Sequence, residues 1–307
     1  MKIGFVDLDT SHPAAWIPIL HEMGHEVVGV WDGGDVHPPG YAARFAEQHR
    51  IPKVYESLDA MAREVDCVLL TGCDWDRHAE RALPFVMAGR AVFVDKPIAG
   101  NTRDLRQFHA WAEAGIRIAG GSALRYCAEV AAWMARPEGE RGRPHTVFCG
   151  CGVDEFNYGI HAYALLAAVM GTGARSVQHL HAGAQRLVRV GWADGRSGLL
   201  CIGKTAGYLP FHAAVVTERS VAHLMAESSG LYPSLLSAVL PYLARETDRP
   251  PVSIESLLEP ELWAIAARRS WQHGNQEVLL ADLTASDTGY DGAAFAREYR
   301  AQKYPGR

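Results

Sequence analysis

Asp95 and Lys96 stand side by side ahead of Pro97, and they are the pair in this chain best placed to do chemistry. An ammonium group can hold a hydroxyl or ribose oxygen and stabilise negative charge that develops on it. The plain alternative is a surface lysine paired with its neighbouring carboxylate. The surrounding residues argue for a working position. Cys67-Val-Leu-Leu70 is a short apolar run of the kind buried in a parallel sheet. Between His78 and Gly89, residues Ala79, Ala82, Leu83 and Val86 recur at helical spacing, and Gly89 is placed to cap the helix. Ala91-Val-Phe-Val94 is the next strand. Its carboxyl end delivers Asp95 and Lys96 to the edge where doubly wound sheets bind ligands.

The elements that carry this edge alternate strand and helix through the first 120 residues. Strands are expected at Lys2–Val6, Glu26–Trp31, Val54-Tyr55, 67–70, 91–94 and Ile116–Ile118. Helices are expected at Pro13–Met23, Tyr41–Gln48, Ser57–Arg63 and from Asn101 onward, with proline near the first helical position and Ser57 and Asn101 as caps. Pro18 and Pro84 fall inside two of the helices, where each costs about 3 kcal/mol or forces a kink. Repeated βα units of this length predict an α/β domain, a doubly wound parallel sheet with helices on both faces.

Gly120-Gly121 marks a change of texture. A helix at Arg125–Ala135 and a loop at 136–144 lead into strands at Thr146–Cys151, Val177–Val190, Ser197–Lys204, His212–Thr217 and Ala222–Ala226, with Asp194-Gly195 as a hairpin turn. Helices at Ile160–Met170, Pro233–Ala244 and Ile254–Gln272 complete the pattern. The expected organisation is residues 1–120 as a Rossmann-type nucleotide-binding domain and residues 121–307 as an α+β domain. Its open, mainly antiparallel sheet should be covered by helices on one face.

The chain of 307 residues is long enough for two domains with substantial cores. Apolar content of 48% and charged content of 21% are ordinary for a globular protein. A formal charge of −5 argues against nucleic acid or an anionic membrane as main partner. No apolar run reaches the roughly 18 residues of a membrane span, and Met1-Lys2 leads directly into a strand, so a cytoplasmic protein is expected. Six scattered cysteines without a CxxC pair suit buried thiols in a reducing compartment. His21/His25, His179/His181 and Cys149/Cys151 lack convincing metal-site partners, so no metal is expected. No G-x-S-x-G elbow or P-loop is present.

With these elements placed, the chain resembles the Gfo/Idh/MocA family, named for glucose-fructose oxidoreductase and inositol dehydrogenase. The resemblance runs through Ile51-Pro-Lys-Val-Tyr-Glu-Ser-Leu58, His78-Ala-Glu-Arg-Ala to Asp95-Lys96-Pro97, and Gly159-Ile-His161-Ala-Tyr-Ala-Leu-Leu166. It continues in Pro251-Val-Ser-Ile-Glu-Ser-Leu-Leu258 and Ala266-Ala-Arg-Arg-Ser270. It implies hydride transfer between a nicotinamide cofactor and a sugar, cyclitol or related hydroxyl compound. Asp95-Lys96-Pro97 corresponds to the family's Glu-Lys-Pro motif, and His161 to its helix-borne histidine, which moves the substrate proton. A homodimer or homotetramer, paired through the open sheet, is a further expectation from the resemblance.

Two departures stand out. The family's aspartate four residues before the histidine is Asn157 here, a neutral amide that would position His161 without stabilising its charged form. The first turn, where G-x-G-x-x-G admits a pyrophosphate, carries Asp7, Asp9 and His12 at the glycine positions. Thr10, Ser11 and the amides opening the helix remain good anion ligands. A cofactor would lie across Asp7 to His12, near Asp32, past Thr71, Gly72, Cys73 and Asp74, and against Asp95 and Lys96. Asp32 ends the second strand, where a carboxylate accepts ribose hydroxyls and repels a 2′-phosphate, so NAD is preferred over NADP. Trp75, Arg125 and Tyr158 are the candidates for substrate contact. The alternative is a non-redox member of the same fold, a binding protein, lyase or isomerase, with the Asp7-to-Asp9 turn as the discriminating feature.

Overall fold

The computed structural model describes residues 1–287 and 289–306. Its first part runs β1 (Lys2–Val6), α1 (His12–Glu22), β2 (Glu26–Trp31), α2 (Tyr41–His49), α3 (Leu58–Ala62), β3 (Cys67–Leu70), α4 (His78–Met87), β4 (Ala91–Val94), α5 (Thr102–Glu113) and β5 (Ile118–Gly120). The five strands form one parallel sheet in the order β2-β1-β3-β4-β5. β3 and β4 are buried at every residue, as strands sandwiched between two helical layers must be. Ser57 and Asn101 accept from Ala60 N and Asp104 N, so both caps do the work their positions predict.

The second part comprises α6 (Ala128–Ala135), α7 (Glu138–Arg141), β6 (Pro144–Gly150), α8 (Gly159–Met170), β7 (Ala174–Ala182), β8 (Arg186–Trp192), β9 (Ser197–Ile202), β10 (His212–Thr217) and β11 (Val221–Met225). It ends with α9 (Leu231–Leu243), α10 (Ile254–Gln272), β12 (Val278–Leu279) and α11 (Gly292–Lys303). Seven strands pair in the order β11-β10-β6-β9-β8-β7-β12, all antiparallel except the β6–β9 pair. β8, β9 and β10 alternate buried and half-buried residues, so one face packs on α8 and α10 and the other stays open.

Several elements depart from the sequence reading. Residues 177–190, read as one strand, are β7 and β8 folded back on each other around residues 183–185. Apolar alternation continues through this tight turn, so periodicity alone does not mark it. Val54 makes only an isolated bridge to Val30. β5 starts at Ile118, and a short 3-10 turn over Ala123–Tyr126 replaces the first turn of the expected helix. The most consequential omission is α11. It is half polar with only Gly292 and Ala296 buried, so its sequence carries little apolar signal. It returns to the first sheet, where Gly292 N donates to Asp76 Oδ2 at 2.7 Å and Phe295 packs on Trp75.

Gly120 fixes how β5 meets β4. Its φ is +135°, and a Cβ there would lie 2.0 Å from the Val94 carbonyl oxygen, one residue before Asp95. Gly24 also has positive φ, at +78°, but nothing stands within 4 Å of its would-be Cβ. Gly24→Ala should therefore cost about 1 kcal/mol and Gly120→Ala more than about 3 kcal/mol in urea unfolding. Equal midpoints for the two variants would show that the close approach constrains nothing.

Candidate active site

Lys96 and His161, 65 residues apart in the sequence, line one cavity of about 250 Å³. The walls include His12, Asp95, Tyr158, Phe211 and Tyr232. Strand ends and helix starts converge here. β4 delivers Asp95 and Lys96, α1 opens with His12, and the first turn of α8 carries His161.

Lys96 Nζ donates to Asn157 O at 3.0 Å and to Asn157 Oδ1 at 3.1 Å. Its charge also sits 5.3 Å from the centre of the Tyr158 ring. Burial pulls the Lys96 ammonium below its ordinary range, against the attraction of Asp95. Asn157 therefore secures Lys96 rather than His161. α8 begins at Gly159, so Asn157 lies in the preceding turn and not one helical turn below the histidine on the same face. Asp154 orders that turn by accepting from the backbone N–H groups of Phe156 and Tyr158, both at 2.9 Å.

His161 is held instead by Ser122, whose Oγ lies 2.7 Å from Nδ1. Burial, reinforced by the charge of Lys96, keeps His161 well below its ordinary range, so the imidazole is neutral at pH 7. Nothing in the sequence singled out Ser122. It follows Gly120-Gly121 and caps the 3-10 turn by accepting from Leu124 N.

The first turn solves its charge problem internally. Asp7 takes φ +64°, the conformation that favours glycine. Its carboxylate pairs with buried Arg81 and accepts from Gly33 N at 3.0 Å, while Arg81 also pairs with Asp35. Burial pushes Asp7 up to about 7 despite the guanidinium. Asp9 accepts from Cys73 N at 2.9 Å, and burial pushes it up to about 6. Thr71 donates to Asp7 O, Gly72 O accepts from His78 at 3.0 Å, and Asp74 caps the 3-10 turn at Trp75–Arg77. These strand-end residues shape the turn and are largely committed to it.

His12 does not face the turn. Its Nδ1 meets Asp95 Oδ2 and its ring stacks on Trp16 at 4.9 Å. Trp75 is buried, donates to Tyr290 O and borders a second, larger cavity of about 650 Å³ with Asn157 and Tyr158. Arg125 does not line the cavity of Lys96 and His161. The 3-10 turn directs its guanidinium to Ser256 O at 2.6 Å and Ser256 Oγ at 3.1 Å, at the start of α10.

A dinucleotide has matching groups along the sheet edge. Among the described residues, Asp32 Oδ2 and Asp9 Oδ1 are buried acceptors without a hydrogen-bond partner, a costly state that a hydroxyl donor relieves. Asp32, Gly33 and Gly34 border a cavity of about 490 Å³. α1 starts beyond Ser11 with no cap from the Ser11 side chain, but His12 N donates to Thr10 Oγ1 at 3.2 Å and Pro13 has no N–H, so the expected anion site at this helix start is reduced to Ala14 N. α11 contributes Lys303, which donates to Asp9 O at 2.8 Å, beside His37, which is bonded to Leu8 O at 2.9 Å.

Residues 3–118 match the family described as "Oxidoreductase family, NAD-binding Rossmann fold". A trans-1,2-dihydrobenzene-1,2-diol dehydrogenase of Bos taurus is 34% identical over 104 residues, which cover 34% of this chain and 30% of the bovine protein. The chain thus spans under a third of that relative. Apo scyllo-inositol dehydrogenase of Lactobacillus casei superposes with a TM-score of 0.78 at 14% identity, covering 92% of this chain and 98% of the other. Myo-inositol dehydrogenase of Lactobacillus casei, solved with NAD(H) and myo-inositol, gives 0.75 at 17% identity, covering 91% and 96%. At these identities the likeness is one of fold.

Asp9 gives a pH test of the turn. A carboxyl held at about 6 against 3.8 unfolded binds its proton more tightly in the folded state. Its favourable contribution is complete below pH 4 and is lost as pH rises through 6. Asp9→Asn keeps an acceptor for Cys73 N and removes the charge. It should match wild type near pH 4 and exceed it by about 1–3 kcal/mol at pH 8 in denaturant titrations. A pH-independent difference would contradict the assignment.

Proposed function

We propose that this chain, whose residues 3–118 match the Gfo/Idh/MocA oxidoreductase family, belongs to that family and is an NAD-dependent oxidoreductase acting on a hydroxyl of a sugar-like or cyclitol-like substrate. The observation that carries the reading is the shared cavity of Lys96, His161 and His12 at the carboxyl edge of the parallel sheet. Its volume of about 250 Å³ lies below the roughly 300–1,000 Å³ of sites for drug-sized ligands and suits a single small ring. The names of the relatives, a diol dehydrogenase and two inositol dehydrogenases, favour a polyol.

The chain's own groups divide the work. An ammonium has three donors, and Lys96 spends two on Asn157, which leaves one for the reacting oxygen. A pocket imidazole takes the hydroxyl proton. Tyr158, Phe211 and Tyr232 enclose the site and limit water. Asp32 would accept ribose hydroxyls, favouring NAD over NADP, while Ala14 N and the Lys303 ammonium would face the diphosphate. When bound, the oxidised dinucleotide accepts the hydride released by the carbinol carbon.

A non-redox role for the same cavity is favoured by one observation, the two buried carboxylates and the α11 contacts at the first turn. We extend the main reading to assembly. The open face of the seven-stranded sheet presents Phe148, Leu199 and Val216, an apolar surface suited to a second copy of the chain. Light scattering should return a dimer or tetramer, and a monomer would end this part.

Titration with NADH should give saturable fluorescence changes below millimolar concentration, with NADPH weaker. No saturation at millimolar NADH would favour the non-redox role. Lys96→Met should lower kcat/KM by roughly 10²–10⁴-fold while leaving NADH affinity little changed. Full activity in that variant would remove Lys96 from the mechanism.

A further inference from the structure

We infer that His12, held by Asp95, is the base that takes the substrate's hydroxyl proton, while His161 is a neutral hydrogen-bond donor to the same oxygen. This rests on the hydroxyl-oxidising reading of the cavity, whereas the tautomers beneath it follow from the hydrogen bonds and the charge of Asp95.

The Asp95 carboxylate is used at both oxygens. Oδ1 accepts from Lys96 N at 2.8 Å and Oδ2 meets His12 Nδ1. Burial works to raise Asp95, but His12 and Lys96 outweigh it and hold the carboxyl below its ordinary range. An ionised carboxylate only accepts, so His12 Nδ1 carries the proton. In the neutral ring Nε2 is then a bare lone pair. Trp16, stacked at 4.9 Å, and Tyr232, edge-on at 5.2 Å, fix the ring in the cavity wall.

His161 is set the other way. Ser122 is buried, and its Oγ already accepts from Leu124 N at 3.2 Å. Among the described residues His161 Nδ1, at 2.7 Å, is the remaining partner for its hydroxyl proton. A buried hydroxyl makes that bond, so Ser122 donates, Nδ1 accepts, and the neutral ring bears its proton on Nε2. Lys96 and His161 are then two donors for an oxygen gaining negative charge, and His12 is the acceptor. In the step, the substrate O–H bond breaks and its proton passes to His12 Nε2. The bonding pair closes the carbonyl as hydride leaves the carbon for the nicotinamide dinucleotide named above. The reverse reaction returns the proton from His12. Asp95 acts through His12 and is a positioning residue.

The test begins with cofactor-free protein labelled with ¹⁵N at histidine. Nitrogen shifts should show His12 protonated at Nδ1 and His161 protonated at Nε2. Asp95→Asn then reads the positioning role. Lys96 N keeps the amide oxygen on its side, so the amide NH₂ faces His12 and should reverse that ring's tautomer. kcat should fall roughly 10²–10⁴-fold with NADH affinity retained. If Asp95→Asn fails to fold, His12→Gln replaces it and should show the same loss. His12 protonated at Nε2 in wild type, or activity retained in His12→Gln, would overturn the assignment. Stated tautomers without any NADH signal would instead sink the hydride-transfer reading and leave the dyad standing. Opposite tautomers with NADH bound would do the reverse.

Discussion

The tie between Lys96 and Asn157 is the contact on which the cavity depends. It joins the carboxyl end of β4 to the turn before α8, two segments with no sequence proximity, through one ammonium and one residue's two oxygens. Asp154 stiffens the far side of that tie through two backbone N–H groups. Without it, the parallel sheet would still present a lysine and Ser122 would still hold His161, but the ammonium would lose the contact that aims it across the cavity. A neutral amide suits this task because it orients the ammonium without quenching its charge, as a carboxylate at the same place would.

The first turn obeys a different constraint, the cost of burying charge. Two carboxylates at the end of β1 are tolerable because Arg81 neutralises Asp7, Gly33 and Cys73 lend backbone N–H groups, and burial shifts both acids toward their neutral forms. Lys303 adds a second positive group from α11. The turn thus presents a mixed field, with cationic and amide donors beside acids that are part-protonated near neutrality.

Much of this was legible in the residues. β1, β2, β3, β4 and α10 fall where hydrophobic runs and caps predict them, because buried strands and capped helices write their signals locally. The shared cavity of Lys96 and His161 followed from strand-end position and resemblance. The missing pieces depend on contacts between distant segments. Ser122 and Arg81 reach the site through partners 39 and 74 residues away. His12 read as an obstacle in a glycine motif until the fold set it against Asp95. α11 hides because a half-polar helix docked by hydrogen bonds and two small residues lacks periodic apolar content.

Asp7 carries a last implication, for how such a site is inherited. Its backbone already has the shape a glycine would take, so returning glycine there removes the torsional objection while leaving a buried guanidinium short of one counter-ion. Replacing Arg81 first leaves the opposite orphan. A lineage that has acquired both residues is held to them: on the road back to a glycine-rich turn, either change made alone gives up the ion pair and leaves its partner behind.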